Sequence, residues 1–453
     1  MPVSALDSLL FKNLFGTEQI RAIFDDKAYI QRCIDVEVAL AQSQASLGVI
    51  PEDIGNQIAT ACSNISLDYD RLSNETEIVG YPILPLIRQL SSACGDEAGG
   101  YVHWGATTQD IQDTATVLQM SSGLTIVEEV LNKVISTLTS LSSKYRDTPM
   151  PGRTHLQHAL PVTFGYKTAV YLSSFQRHLE RLQQLRLRCL LVQFGGAAGT
   201  LASLDQNTDI GLRVRKNLAE RLGLHDPVIT WHTARDGVAE IINFLALIGG
   251  SLGKMAMDVI LMSSNEMNEV SEPFVPHRGA SSTMPQKRNP ISSEVILAAS
   301  KLLRANAGLC LDAMVTDFER ASGPWHLEWV AVPESFVLAV GALRQAEFAL
   351  GGIVVNVEQM RENLDSSKGL IVAEAVMMEL ARHTGRRKAH DVVYEACREV
   401  IEKGKEGTLF DVLMLKEEVT GVIGEERLRS LCEPANYLGA AARMEDDVLA
   451  LSH

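Results

Sequence analysis

"GASSTMPQKRNP", residues Gly279–Pro290, sets two serines, a methionine-proline step, a lysine, an arginine and an asparagine within twelve residues. Little of it is apolar enough for a core. Gly279 and Pro285 predict a mobile loop with a fixed turn. Pro290 stands at the head of "ISSEVILAASKLL", a helical pattern. A loop that runs into a helix N-terminus offers free backbone N–H groups and the positive end of the helix dipole. Lys287, Arg288 and Asn289 add donors, and the set suits a carboxylate. In such a field a serine hydroxyl loses its proton more easily than in water, so Ser281 is a candidate base in a site closed to solvent. From spacing alone, a capped surface turn explains the same residues equally well.

Outward from this loop the dominant period is helical. Val127, Leu131, Val134, Leu138, Leu141 and Tyr145 alternate at spacings of four and three, the seam of a long helix packed on others. A second seam runs through Phe175, Leu179, Leu182, Leu185 and Cys189. Further long helical patterns cover roughly 236–270, 290–316 and 333–350. Strand-like alternation is scarce. The chain is expected to be all-α, with a central bundle of long helices. Three domains are expected: an N-terminal helical domain over 1–106, the long-helix bundle over 107–352, and a C-terminal helical domain over 353–453. A soft boundary falls near "GGIVVN".

Composition narrows the function. The 453 residues carry 41 basic and 56 acidic side chains, a net charge of −15. That argues against a nucleic-acid surface, where clustered Lys and Arg neutralise phosphate. It leaves room for an anionic small substrate in a locally positive site. The seven cysteines are dispersed without a CxxC pair, which reads as reduced thiols in a cytoplasmic protein and disfavours structural zinc. No signal peptide is apparent at the N-terminus. The charge-free apolar stretch at 241–253 is too short to span a bilayer and reads as a buried helix.

The breaks between helical patterns carry the remaining polar segments. In "GRTHLQHALP", Thr154 and His155 are expected to precede a helix, with His155 a candidate acid or base. The plainer reading is a capping Thr and a structural His, and His158 is read as structural. In "HWGATTQDIQDT", Thr107 and Thr108 can cap the following helix and donate to an anion. Asp110 and Asp113 have a sufficient explanation in helix capping. His103 either binds substrate or packs against Trp104. "FGGAAGTLAS" is no dinucleotide fingerprint, since it follows a helical pattern, and close helix approach is the expectation. "ERASGPWHLEW" lines a pocket or caps the bundle. Glu266, Glu269 and Glu272 are expected on one helical face.

Taken together, three segments resemble one family. "GASSTMPQKRNP" is similar to the long GSSxMPxKxNP signature of the fumarase/aspartase superfamily. "ATTQDIQDT" resembles its TSxDxxDT segment and "GRTHLQHALP" its second segment, in the family's order. The resemblance covers nearly the whole chain. Through "YVHWGATTQD", "QFGGAAGTLASL", "ERASGPWHLEW", "GLIVAEAVMMELA" and "NYLGAAARMED" it is nearest the bacterial-type 3-carboxy-cis,cis-muconate cycloisomerase branch, which is adenylosuccinate lyase-like. It implies a homotetramer with a twenty-helix core and active sites shared by three subunits. It also implies proton abstraction beside a carboxylate without metal or cofactor, on a small di- or tricarboxylate, with no nucleic-acid or membrane partner. Ser281 would be the base and His155 the group that protonates or orients the leaving group. Lys287 and Asn289 would hold the activated carboxylate, with donors from Thr107, Thr108 and Thr154. The substrate-binding set extends to Arg153, Gln157, His103, Ser282, Met284 and Arg320.

Four departures bear on the reaction. Ala280 replaces a signature Gly, and Gln286 stands where the cycloisomerases tend to carry His. "GRTHLQ" has His155 where they resemble GRTWLQ. "EIVGYPILPLI" lacks the TRHD-like histidine of adenylosuccinate lyases, which disfavours a purine-nucleotide substrate. Lactonisation of a carboxylated muconate is the first expectation. The alternative is a lyase that releases fumarate, or a related diacid, from a substituted succinate. A non-catalytic relative is the third reading, opposed by the joint presence of Ser281, Lys287, Asn289 and His155.

Overall fold

The computed structural model describes residues 4–204, 209–320, 323–402 and 407–451. Five helices of 22 to 37 residues dominate it: Thr108–Lys144, Phe164–Cys189, Asp236–Met262, Ile291–Asp312 and Trp325–Gly351. The expected seams are their buried stripes. Val127, Leu131, Val134 and Leu138 are buried, as are Phe175, Leu182, Leu185 and Cys189, while Leu141 and Leu179 are half-buried. Each fully buried Leu or Phe removes enough apolar surface to contribute about 1.5–3 kcal/mol. Gly123 permits close packing: a methyl group there would stand 2.6 Å from the Phe336 ring.

Two boundaries differ from expectation. The 236–270 pattern ends as a helix at Met262. Glu266, Glu269 and Glu272 therefore do not share a helical face. Glu269 instead immediately precedes a short strand, Val270–Ser271, that pairs antiparallel with Val354–Val355. The last long helix begins at Trp325 and runs through Pro333. Asp236–Met262 and Trp325–Gly351 are long and apolar enough to cross a membrane by length and composition, with 50% and 67% of their apolar windows buried inside the fold.

The chain forms two compact units. One comprises Met1–Val130, His178–Leu252 and Ala298–Arg344. Its N-terminal helices, among them Asp26–Ser46, Tyr69–Val79 and Ile83–Gly99, bury Ile34, Leu40, Leu72, Leu86 and Leu90. Asp25 and Asp68 cap the first two by accepting from Ala28 N and Arg71 N. The other unit comprises Leu131–Arg177, Gly253–Leu297 and Gln345–His453. After Gly351 it is a set of short helices closed on Leu380, Ala396, Leu409, Val419 and Leu428.

"GRTHLQHALP" does not lead directly into a helix. It is a β-hairpin, β1 at Pro149–Thr154 and β2 at Gln157–Thr163. Thr154 pairs with Gln157, leaving His155 and Leu156 as a two-residue turn with φ of 52° and 60°. Positive φ at both turn positions matches the right-handed twist of a hairpin, and Asn-Gly usually supplies it. Here two side-chain-bearing residues sit in the left-handed region, which is why no turn signal was legible.

Candidate active site

Within the first unit the site residues gather around Asp110. Its carboxylate is fully buried and accepts from Thr107 N at 3.0 Å, Gly195 N at 2.9 Å and Gly196 N at 2.9 Å. His232 Nε2 lies 2.6 Å from the same carboxylate. The glycines are therefore not a close approach of helices. They form a loop, with Gly196 at φ +73°, whose amides a carboxylate gathers, and a Cβ at Gly195 would meet Thr230 Oγ1 at 2.7 Å. Asp110 is more than a cap, since it ties the start of the 108–144 helix to segments 85 and 122 residues away. Thr107 and Thr108 remain half-buried at that helix start. Arg320 donates to Gln109 Oε1 at 3.3 Å and to the carbonyl oxygens of Gly196 and Ala197, so part of its hydrogen-bonding capacity is spent on the loop.

Asp113, one turn on, is also buried. It accepts from Arg235 at 2.7 and 2.9 Å, from Trp325 Nε1 at 3.2 Å and from Gln109 at 3.1 Å. Arg235 also donates to Glu328 at 2.9 Å. Burial pushes the Glu328 carboxyl up, against the pull of Arg235. His232 and Arg235 carried no motif signal, and Glu328 none of its own within "ERASGPWHLEW", because their partners lie roughly a hundred residues away along the chain.

His103 has φ of 64° and its Nδ1 lies 2.6 Å from Glu37 Oε1. Burial opposes its charge, but the adjacent Glu37 carboxylate outweighs burial and raises its pKa. A raised His pKa contributes stability that is complete below the unfolded value and fades as pH rises through the folded one. Glu37→Gln should therefore show a larger melting-temperature deficit at pH 6 than at pH 9, read by calorimetry. A pH-independent deficit would deny the charged pair.

Within the second unit, the hairpin tip and the 279–290 loop carry the candidate groups. Thr154, His155 and Gln157 are exposed, and among the described residues the His155 ring has no hydrogen-bond partner. Arg153 differs. Its guanidinium is paired with the fully buried Glu269 at 2.6 and 3.0 Å, and Asn363 donates to the same carboxylate. Arg153 anchors the hairpin rather than offering an open fork to substrate.

The loop is pinched at its neck. Asn289 N and Nδ2 both donate to Gly279 O at 3.1 Å. Asn289 thus spends one side-chain N–H on the loop and keeps the other. Above the neck, Ser282, Met284 and Lys287 are exposed, and Lys287 makes no ion pair among the described residues. Ser281 is half-buried. Its Oγ accepts from Met284 N at 3.1 Å and Thr283 N at 3.3 Å, so the loop aims two backbone donors at that oxygen.

The following helix does not offer an empty N-terminus. Glu272 accepts from Ser293 N at 2.8 Å, from Ser292 N at 3.1 Å and from Ser293 Oγ at 2.8 Å. A carboxylate of this chain already fills the place that the sequence reserved for substrate. Substrate anion would be met by loop and hairpin side chains instead. Among the described residues, no group of three or more His, Cys, Asp and Glu side chains is arranged to hold a metal ion.

A family described as "Lyase" matches residues 15–303, and "Adenylosuccinate lyase C-terminus" matches 369–448. A fumarate lyase structure from Mesorhizobium sp. BNC1 is 54% identical, superposes with a TM-score of 0.90, and is covered to 98% by 96% of this chain. Trans-aconitate decarboxylase 1 of Mycosarcoma maydis is 44% identical over 97% of this chain and 88% of its own. The 3-carboxy-cis,cis-muconate cycloisomerase of Acinetobacter baylyi is 41% identical over 98% of both. With the signature loop, the buried Asp110 and the all-helical bundle in place, the chain belongs to the fumarase/aspartase superfamily of lyases and cycloisomerases.

Proposed function

We propose that the protein catalyses proton transfer beside a substrate carboxylate, and that its reaction is the lactonisation of a carboxylated muconate. In that isomerisation a carboxylate oxygen adds across a conjugated double bond and a proton is delivered to the carbon next to another carboxylate. In the reverse direction Ser281 Oγ takes that proton and the ring C–O bond breaks. The observation that carries the proposal is the pair of backbone N–H groups from Thr283 and Met284 on Ser281 Oγ. Donors fixed on the oxygen favour its anion, each contributing about 1.5–3 kcal/mol when the acceptor is charged. Lys287, which makes no ion pair among the described residues, would receive the carboxylate as charge moves onto it, with Asn289, Thr107, Thr108 and Thr154 adding donors. His103, Gln157, Ser282, Met284 and Arg320 would shape the pocket around the substrate, and the reaction would need no cofactor.

The site would be completed by other copies of the chain in a homotetramer with a twenty-helix core. Val170, Leu187, Leu247, Met257, Leu302 and Leu311 lie exposed on three of the long helices, apolar side chains that such a core would cover. The cytoplasm is the proposed location.

His155 favours a second reading. An imidazole with no hydrogen-bond partner among the described residues can protonate a departing amine or thiolate, which suits a lyase releasing fumarate from a substituted succinate. Ultraviolet absorbance separates the two: lactonisation removes a conjugated-diene band, and fumarate release raises an enoate band. His155→Trp should leave lactonisation near its native rate and cost the lyase reaction about a hundredfold or more. Loss of lactonisation in that variant would make His155 its acid. Failure of both substrate panels with a folded tetramer would point to a non-catalytic relative.

A further inference from the structure

A cavity of about 510 Å³ lies wholly within the first unit, between the Asp26–Ser46, Tyr69–Val79, Thr108–Lys144 and Trp325–Gly351 helices. None of the residues assigned above to catalysis or substrate binding lines it. Its volume falls in the range of small-molecule sites.

Its walls select the ligand. Tyr29, Tyr69, Trp325 and Trp329 present aromatic surface. Asp26 lines it with a carboxylate that makes no ion pair among the described residues, Glu328 lines it with a carboxylate already held by Arg235, and among the described residues no lysine, arginine or histidine lines it. An anion would meet repulsion from Asp26, whereas aromatic faces and that carboxylate attract a cation. One polar group on the wall is left without a partner. Gln112 is 3% exposed, and its Nε2 donates to the Tyr29 hydroxyl at 2.9 Å. Its Oε1 is buried with no hydrogen-bond partner among the described residues. Buried acceptors are rarely left unpaired, so a donor in the cavity would satisfy it once the Gln112 side chain turned toward that donor.

We propose that this cavity is a second binding site, for a compact aromatic primary amine. The ring lies among the aromatic side chains, and the ammonium donates to Gln112 Oε1 as that side chain turns toward it. No residue of the 279–290 loop lines the cavity, so the inference stands whether or not the proposed reaction is the right one.

Calorimetric titration of the full chain with phenethylamine tests it, with 3-phenylpropionate as the same ring carrying the opposite charge. Phenethylamine should bind saturably, one per chain, with Kd on the order of 0.1 mM. The carboxylate should bind at least about tenfold more weakly. Gln112→Leu should weaken the amine about tenfold. Ser73→Trp, at an exposed position on the cavity edge, should block it while the fold is retained. The proposal is overturned if phenethylamine gives no saturable heat, if 3-phenylpropionate binds equally well, or if both variants bind the amine as the native chain does.

Discussion

Ser281→Ala should lower kcat by about three orders of magnitude, within the range of a lost general acid or base. The melting temperature and the oligomeric state should not move, because the hydroxyl's described partners, Thr283 and Met284, belong to its own exposed loop. Binding of an unreactive dicarboxylate should persist, since Lys287 is untouched. A fall in kcat without a matching rise in KM locates the loss in the transition state. Steady-state rates with a carboxylated muconate and with succinyl adducts check it on whichever substrate the native protein turns over. Turnover within a few-fold of native would remove Ser281 from the proton-transfer role and leave its backbone donors as ordinary turn geometry.

Arg235→Met should produce the largest loss of stability of any single substitution considered, about 3–5 kcal/mol. Arg235 is 1% exposed in its side chain and is the cation for two buried carboxylates, Asp113 and Glu328. Removing it leaves both charges buried without a counter-ion. The Glu328 carboxyl, already pushed up by burial, then rises further. A carboxyl raised in this way is least costly at low pH, where it is protonated, and most costly once pH has passed its folded pKa. The deficit against the native chain should therefore be larger at pH 8 than at pH 5, measured by thermal or urea unfolding. An equal deficit at both would mean that lost packing, not the orphaned charge, sets the effect.

The same network marks where the sequence stopped being legible. Long helices could be read because their cause is local: apolar residues at spacings of four and three must share a face. The seams through Val134 and Phe175 are buried for that reason. Asp110 and Asp113 could not be separated from surface capping acids, because an i, i+3 pair near a helix start looks identical in both cases. What distinguishes them is His232, Arg235, Glu328 and the amides of Gly195 and Gly196, all distant in sequence. Glu272 gave the opposite error. A helix start after a basic loop reads as open, and only coordinates place a carboxylate from another segment on Ser292 and Ser293. The "TH" step reads as a helix approach because a two-residue hairpin ordinarily announces itself with glycine or asparagine.

That hairpin tip has a practical consequence. His155 and Leu156 each hold a backbone conformation costing on the order of 1 kcal/mol for a residue with a Cβ. A programme of thermal hardening would replace them first, with asparagine and glycine, and would be rewarded in melting temperature. The same exchange would delete the imidazole that separates the two candidate reactions, so robustness and reactivity compete here for the same pair of residues.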